Sequence, residues 1–310
     1  MNGVTEKPRI LLIGKQGQVA WELARALAPH AQLVAADLPE LDLNSPKLIA
    51  TWVKDVRPHF IVNAAAYTDV EKAEDESELA MAINGTAPGL LAQAAKAIDA
   101  TLIHYSTDYV FSGDAPKNAD SLGYTESLQT GSINVYGKTK QAGEAAIKAV
   151  SGKYFIFRTS WVYGLRGKNF LLSILRAAQT RETLNVVNDQ IGTPTWCRLL
   201  AEMTTGVILK CQDPEFLEST TGLYHLTGKG RTSWYGFAKS IIDAASFAHD
   251  FKVKEILPVP TSAYPTKAVR PAYALLDCRK FEKTFNLRLP HWEKSLKEAM
   301  SEFSIDCLAP

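Results

Sequence analysis

Between Arg9 and about Ser160, short unbroken apolar runs alternate with longer stretches whose apolar positions recur every three or four residues. The runs predict strands at Ile10–Ile13, Gln32–Ala36, Phe60–Ala64, Leu102–Ser106 and Phe155–Thr159, and their lack of polar alternation predicts burial on both faces. The periodic stretches predict helices over Gln18–Leu27, Pro46–Val56, Glu78–Ile98 and Tyr136–Val150, each with one apolar stripe to lay on a sheet. Strand and helix in strict alternation describe a parallel sheet with right-handed crossovers, a Rossmann-type doubly wound α/β fold.

After Ser160 the pattern loosens. Asn169–Ala178 and Leu199–Leu209 read as helices, Leu184–Val187 and Leu223–Leu226 as short strands, and Leu257–Tyr273, with four prolines, as a loop long enough to wrap a cleft. The expected division is residues 1–160 as mainly the dinucleotide-type domain and 161–310 as mainly a smaller mixed α/β lobe, with the chain free to cross back between them. At 310 residues, two lobes around a cleft fit the size at which a single core stops growing.

Charge narrows the function classes. The net charge is +1 and the lysines and arginines are dispersed, so no basic field exists to hold a nucleic-acid backbone. No apolar stretch approaches the ~20 residues that cross a bilayer, and a strand pattern begins almost at the N-terminus, so a cytoplasmic protein is expected. Cys197, Cys211, Cys278 and Cys307 form no C-x-x-C pair, and the histidines show no H-E-x-x-H spacing, so neither a disulfide framework nor a metal site is expected.

The first strand runs into G-K-Q-G-Q-V-A. Gly14 and Gly17 fall where the chain must turn and let a pyrophosphate approach helix amides, with Ala20 in place of a third glycine. Asp37, at the end of the second strand and about 20 residues on, suits the adenosine ribose hydroxyls. Lys15 beside it suits a 2′-phosphate that Asp37 would repel, which leaves NADPH and NADH both open. Ala64, Ala65 and Ala66 end the third strand as a shelf without bulky side chains, where a flat ligand can lie.

Tyr136 and Lys140 lie four residues apart on one face of a predicted helix. A neighbouring ammonium favours a phenolate and draws a phenol toward neutral-pH proton transfer. Such a pair is common by chance; its position is not. The fourth strand delivers Ser106 and Thr107 to the same sheet edge, and the glycine turn, the strand-end hydroxyls and the Tyr-x-x-x-Lys helix follow in order.

These residues, with V-N-A-A-A-Y-T, H-Y-S-T-D-Y-V-F-S-G, F-R-T-S-W-V-Y, N-D-Q-x-G-x-P-T and V-P-T-S-A-Y-P-T, resemble the extended short-chain dehydrogenase/reductase family from Ile10 to about Trp292. The resemblance implies an NADPH- or NADH-dependent reductase of a keto group on a dTDP-linked deoxysugar. Within it, Thr107 orients the keto oxygen, Tyr136 protonates it, and Lys140 tunes Tyr136 and holds the nicotinamide ribose. Gln18, Val19, Asp42, Leu43 and Tyr67 are added to the cofactor set, and Asp108, Trp161, Asn134, Gln190 and Arg270 to the substrate set. Arg270 suits a pyrophosphate because its fork donates twice. Some relatives pair through Mg2+ held by carboxylates; Cys197 and Arg198 stand where one of these is expected, which argues against a metal bridge and leaves monomer or homodimer. The same build also serves epimerases and non-catalytic regulatory subunits.

Overall fold

In the computed structural model, which describes residues 7–116, 123–246 and 249–308, the five predicted strands of the first half form, joined by helical segments. Chain order gives β1 (Arg9–Ile13), α1 (Gln18–Leu27), β2 (Gln32–Ala36), α2 (Pro46–Val56), β3 (Phe60–Asn63), α3 (Val70–Ala73), α4 (Ser77–Met81), α5 (Ala87–Ala97), β4 (Thr101–Thr107), α6 (Val135–Val150) and β5 (Tyr154–Thr159). A sixth strand, Gly222–His225, pairs in parallel with β5, so the sheet runs β2, β1, β3, β4, β5, Gly222–His225. Strand order reverses between β1 and β3, and at such a switch point ligands bind beyond the strands' carboxyl ends.

The sheet is sandwiched because its strands are apolar on both faces. Ile10, Leu12, Val62, Ile103 and Phe157 pack toward α1 and the helix Cys197–Lys210. Leu11, Ile13, Ile61, Leu102 and Ile156 pack toward Ile49 and Val53 of α2, Leu91 of α5 and Ile147 of α6. Cys197, Cys211 and Cys278 are buried and unpaired, as packing residues. Among the described residues no helix is long and apolar enough to cross a membrane.

The structure departs from the sequence pattern in several places. The stretch read as one helix over Glu78–Ile98 is α4, a single π turn at Ala82–Thr86, and α5. Asn84 explains the interruption. Its amide accepts from the backbone N–H of Tyr67 at 2.9 Å and donates to the Tyr67 carbonyl at 3.0 Å, pulling the turn toward the segment after β3. The third strand stops at Asn63, leaving the alanines as loop. The proline-rich segment is not all loop: Leu257–Val259 belongs to a strand, Glu255–Val259, paired with Thr183–Val187. That sheet has only two strands, so Pro258 sits on an edge where its missing donor costs little. The helix Cys197–Lys210 and the strand Gly222–His225, both from the second half, complete the central sheet layer.

Candidate active site

Four structural devices build the site. The first is the turn after β1. Gly14 has φ +93, and a Cβ there would lie 2.8 Å from the Ala65 nitrogen, so only glycine lets this turn press on the alanine shelf. Gly17 caps α1 with no side-chain hydrogen bond, leaving the first amides of the helix to a ligand. Asp37 accepts from the Gln16 N–H at 3.0 Å and the Leu38 N–H at 2.9 Å, which fixes its carboxylate beside the turn. Lys15 pairs with Glu40 at 3.0 Å.

The second is the junction of β4 with α6. Asn134 caps α6, its Oδ1 accepting from the Gly137 N–H at 2.8 Å. A Cβ on Gly137 would stand 2.2 Å from the Tyr109 carbonyl oxygen. This glycine therefore allows the helix start to approach the chain leaving β4, which brings Tyr136 and Thr107 to the same cleft. Tyr109 packs edge-on against the Tyr136 ring at 5.5 Å. Thr107 donates to Oδ1 of Asp108 at 2.9 Å, and Ser160 donates to Oδ2 at 3.3 Å.

The third is a buried polar brace behind α6. Arg158 of β5 binds Glu144 through Nε at 2.8 Å and Nη2 at 2.6 Å, and Ser106 donates to the same carboxylate at 2.6 Å. Burial resists ionisation of Glu144, but the Arg158 contacts outweigh it and hold its pKa below the ordinary value. Helix α6 is thereby tied to β4 and β5 at fixed height.

The fourth is the proline-rich strap. Backbone amides of Lys267 and Ala268 donate to Glu71, whose other oxygen accepts from Arg270 at 2.6 Å. Lys267 also pairs with Asp75. The strap is thus latched across the cleft to α3, with Arg270 turned inward and donating to the Tyr109 hydroxyl at 3.1 Å.

Burial sets the protonation states. It pushes Asp108 up to about 7 against the hydrogen bonds of Thr107 and Ser160. Lys140 is lowered to about 8 by burial, opposed by Glu144. Tyr136 is raised by burial, with Thr107 opposing. The downward pull of Lys140 on Tyr136 expected from the sequence is therefore not what dominates here; burial keeps the phenol protonated and ready to donate.

The cleft these devices enclose measures about 750 Å³. Gly14, Gly17, Gln18, Val19, Asp37, Ala64, Ala65, Ala66, Thr107, Asp108, Tyr136, Lys140, Trp161 and Arg270 all line it. Trp161 sits at φ +46, a strained value for a non-glycine residue, and stacks on Trp234 with ring centroids 3.6 Å apart. Five candidates are not among the lining residues. Leu43 is core, Asp42 accepts from the Asn44 N–H, and Tyr67 donates to Glu76. Asn134 is the helix cap, and Gln190 accepts from the Trp234 indole at 3.1 Å, bracing it from behind. Thr68, Tyr109, Ser160, Lys168 and Trp234 line the cleft without having been singled out. Tyr109 and Ser160 lie within the quoted motifs and were within reach of the sequence; Lys168 and Trp234 carried no signal.

The carboxylates that could hold a bridging metal are otherwise engaged. Arg198 donates to Glu22 at 3.0 Å and to Glu302, so an internal guanidinium occupies that position. Among the described residues no group of three or more His, Cys, Asp or Glu is arranged to hold a metal. A guanidinium paired with both carboxylates does not suit a cation at that position.

Comparison with known proteins agrees with this geometry. The family profile described as the RmlD substrate binding domain matches residues 8–305. The chain is 46% identical over 301 residues to the dTDP-4-dehydrorhamnose reductase of Salmonella typhimurium, covering 94% of this chain and 97% of that protein. It superposes on the crystal structure of the Bacillus anthracis dTDP-4-dehydrorhamnose reductase in complex with NADP with a TM-score of 0.87 at 36% identity, covering 96% of this chain and all of that one. A Thermus thermophilus UDP-glucose 4-epimerase, at 15% identity and a TM-score of 0.76, shares the fold.

Proposed function

We propose, since the chain belongs to the dTDP-4-dehydrorhamnose reductase family, that it reduces the 4-keto group of dTDP-4-dehydro-L-rhamnose to dTDP-L-rhamnose with NAD(P)H. The observation that carries the residue roles is the convergence of Thr107, Tyr136 and Lys140 with the Gly14 turn and the alanine shelf on one cleft. The cofactor fits this chain: the Gly14–Ala65 contact leaves no room for a Cβ, and the amides of α1 lack a side-chain cap. Bound there, a reduced nicotinamide supplies the hydride.

The remaining chemistry belongs to the protein. Tyr136, kept protonated by burial, donates its phenolic proton to the oxygen that becomes the alcohol. Thr107 gives its hydrogen to Asp108 in the ligand-free site. Once Asp108 is protonated and donates in return, Thr107 is free to donate to the keto oxygen. Lys140 on the same helix face stabilises the phenolate left after transfer. Trp161, held by Trp234, forms a flat wall for the sugar, and Arg270 with Lys168 supplies positive charge toward the diphosphate.

An assay of NADPH and NADH oxidation with the dTDP-, UDP- and GDP-linked 4-keto deoxysugars tests this. Net oxidation with the dTDP substrate is expected. Isomerisation without net oxidation, as an epimerase would give, would overturn the reading.

A further inference from the structure

Lys140 is 2% exposed and its ammonium position is determined by two groups of β4: the Tyr105 carbonyl at 2.6 Å and Nε2 of His104 at 3.1 Å. His104 is itself buried, and its Nδ1 lies 3.1 Å from Nδ2 of Asn63, the last residue of β3. Asn63 in turn accepts at Oδ1 from the backbone N–H of Ala65, the middle of the alanine shelf, at 3.2 Å.

The donor and acceptor inventory of this chain is restrictive. The Ala65 N–H assigns Oδ1 of Asn63 as the acceptor, so the amide presents its NH2 to His104. Nδ1 of the imidazole must then accept, which places the ring hydrogen on Nε2, pointing at Lys140. That N–H finds an acceptor in a neutral amine and none in an ammonium. For Lys140 to be charged, the ring must move its hydrogen to Nδ1 and Asn63 must turn its amide, giving up the bond to Ala65.

We propose that His104 is a positioning residue for Lys140, and that the Ala65–Asn63–His104 hydrogen-bond chain opposes the ammonium form, coupling the charge of the lysine to the floor of the cofactor cleft. The charged and titratable groups around Lys140 leave this chain room to act. On its own helix stand Tyr136 and Glu144, and Glu144 is neutralised by Arg158 of β5 and approached by Lys148 at 3.6 Å. From β4, Tyr105 presents its carbonyl while its hydroxyl bonds Thr204 at 2.6 Å, and β3 offers only the neutral Asn63. Burial and the facing lysine keep His104 uncharged, so its response to Lys140 is a change of tautomer, not of charge. Burial independently lowers Lys140 to about 8, within reach of an enzyme's operating range.

The proposal takes the catalytic role of Lys140 from the reductase reading, but its test does not need turnover. In the full-length protein labelled with 15N-histidine, the His104 ring nitrogens report the tautomer by NMR. We expect the hydrogen to pass from Nδ1 to Nε2 as pH rises through the Lys140 titration, and to remain on Nε2 at every pH in Lys140→Met. A single unchanging tautomer in the wild type, or the same switch in Lys140→Met, would overturn the proposal while leaving the reductase reading intact. In activity, His104→Gln, whose amide oxygen can accept from the ammonium, should move the alkaline limb of kcat upward by about one pH unit, a tenfold gain in proton affinity. An unmoved limb would count against it.

Discussion

Replacing Asp108 by Asn should stabilise the protein at alkaline pH while leaving it unchanged in acid. Asp108 is 3% exposed, with its oxygens held by Thr107 and Ser160, and burial lifts its carboxyl from 3.8 to about 7. Roughly three units at about 1.4 kcal/mol each make the ionised form cost the fold about 4 kcal/mol. The sign follows from the raised folded-state value: the folded protein retains a proton that the unfolded chain loses, so stability falls as pH rises from about 4 through 7. An amide of the same shape never ionises, and both hydroxyl partners can rotate to suit it. The variant's advantage should therefore be near zero at about pH 4 and reach about 4 kcal/mol above pH 7, which is several degrees in Tm for a chain of this size. Calorimetry of both proteins at constant ionic strength across this range measures the difference directly. An advantage that does not change with pH would refute the claim that a buried, reluctant carboxylate sits at this position.

Tyr136→Phe should lower kcat by about 100- to 10,000-fold while the dissociation constant for NADPH, measured by fluorescence titration, stays within about twofold. Glu144→Gln leaves Arg158 as an uncompensated buried charge and should cost about 3–5 kcal/mol in urea unfolding. Because Arg198 already engages Glu22 and Glu302, a chelator should change neither the sedimentation coefficient nor the activity; loss of an oligomer in EDTA would contradict that assignment.

The first half of the fold was legible because β1, β3 and β5 are buried almost throughout and appear as mainly apolar runs, while the half-exposed edge strand β2 and the more polar β4 keep short apolar stretches between helical patterns. Leu223–Leu226 reads as a strand, and the structure has one at Gly222–His225, but its partner was not legible: pairing with β5 is decided by packing across more than sixty residues of intervening chain, which periodicity does not encode. The π turn at Ala82–Thr86 was hidden for a related reason. Its cause is the bond between Asn84 and a distant backbone, while the local pattern remains that of a helix.

In the site, Gly14, Thr107, Tyr136 and Lys140 stood out because their chemistry and order made a joint signal. The residues that set their properties did not. Asn63, at the end of β3, and His104, inside β4, are buried polar residues that look like ordinary satisfied core positions until their partners are visible. Asn134 and Gln190, expected among the substrate contacts, are held by the protein in the ligand-free structure: one caps α6 and the other accepts from the Trp234 indole, because a polar side chain near a motif serves backbone and neighbours as readily as substrate.

The central claim is direct hydride delivery to the sugar carbonyl with protonation by Tyr136, and isotope transfer tests it most directly. With NADPH carrying deuterium at the transferable position, the product dTDP-sugar should contain one deuterium per turnover at C4 and the oxidised cofactor none. Product without deuterium at C4, or label retained on the cofactor while the sugar changes configuration, would contradict the account.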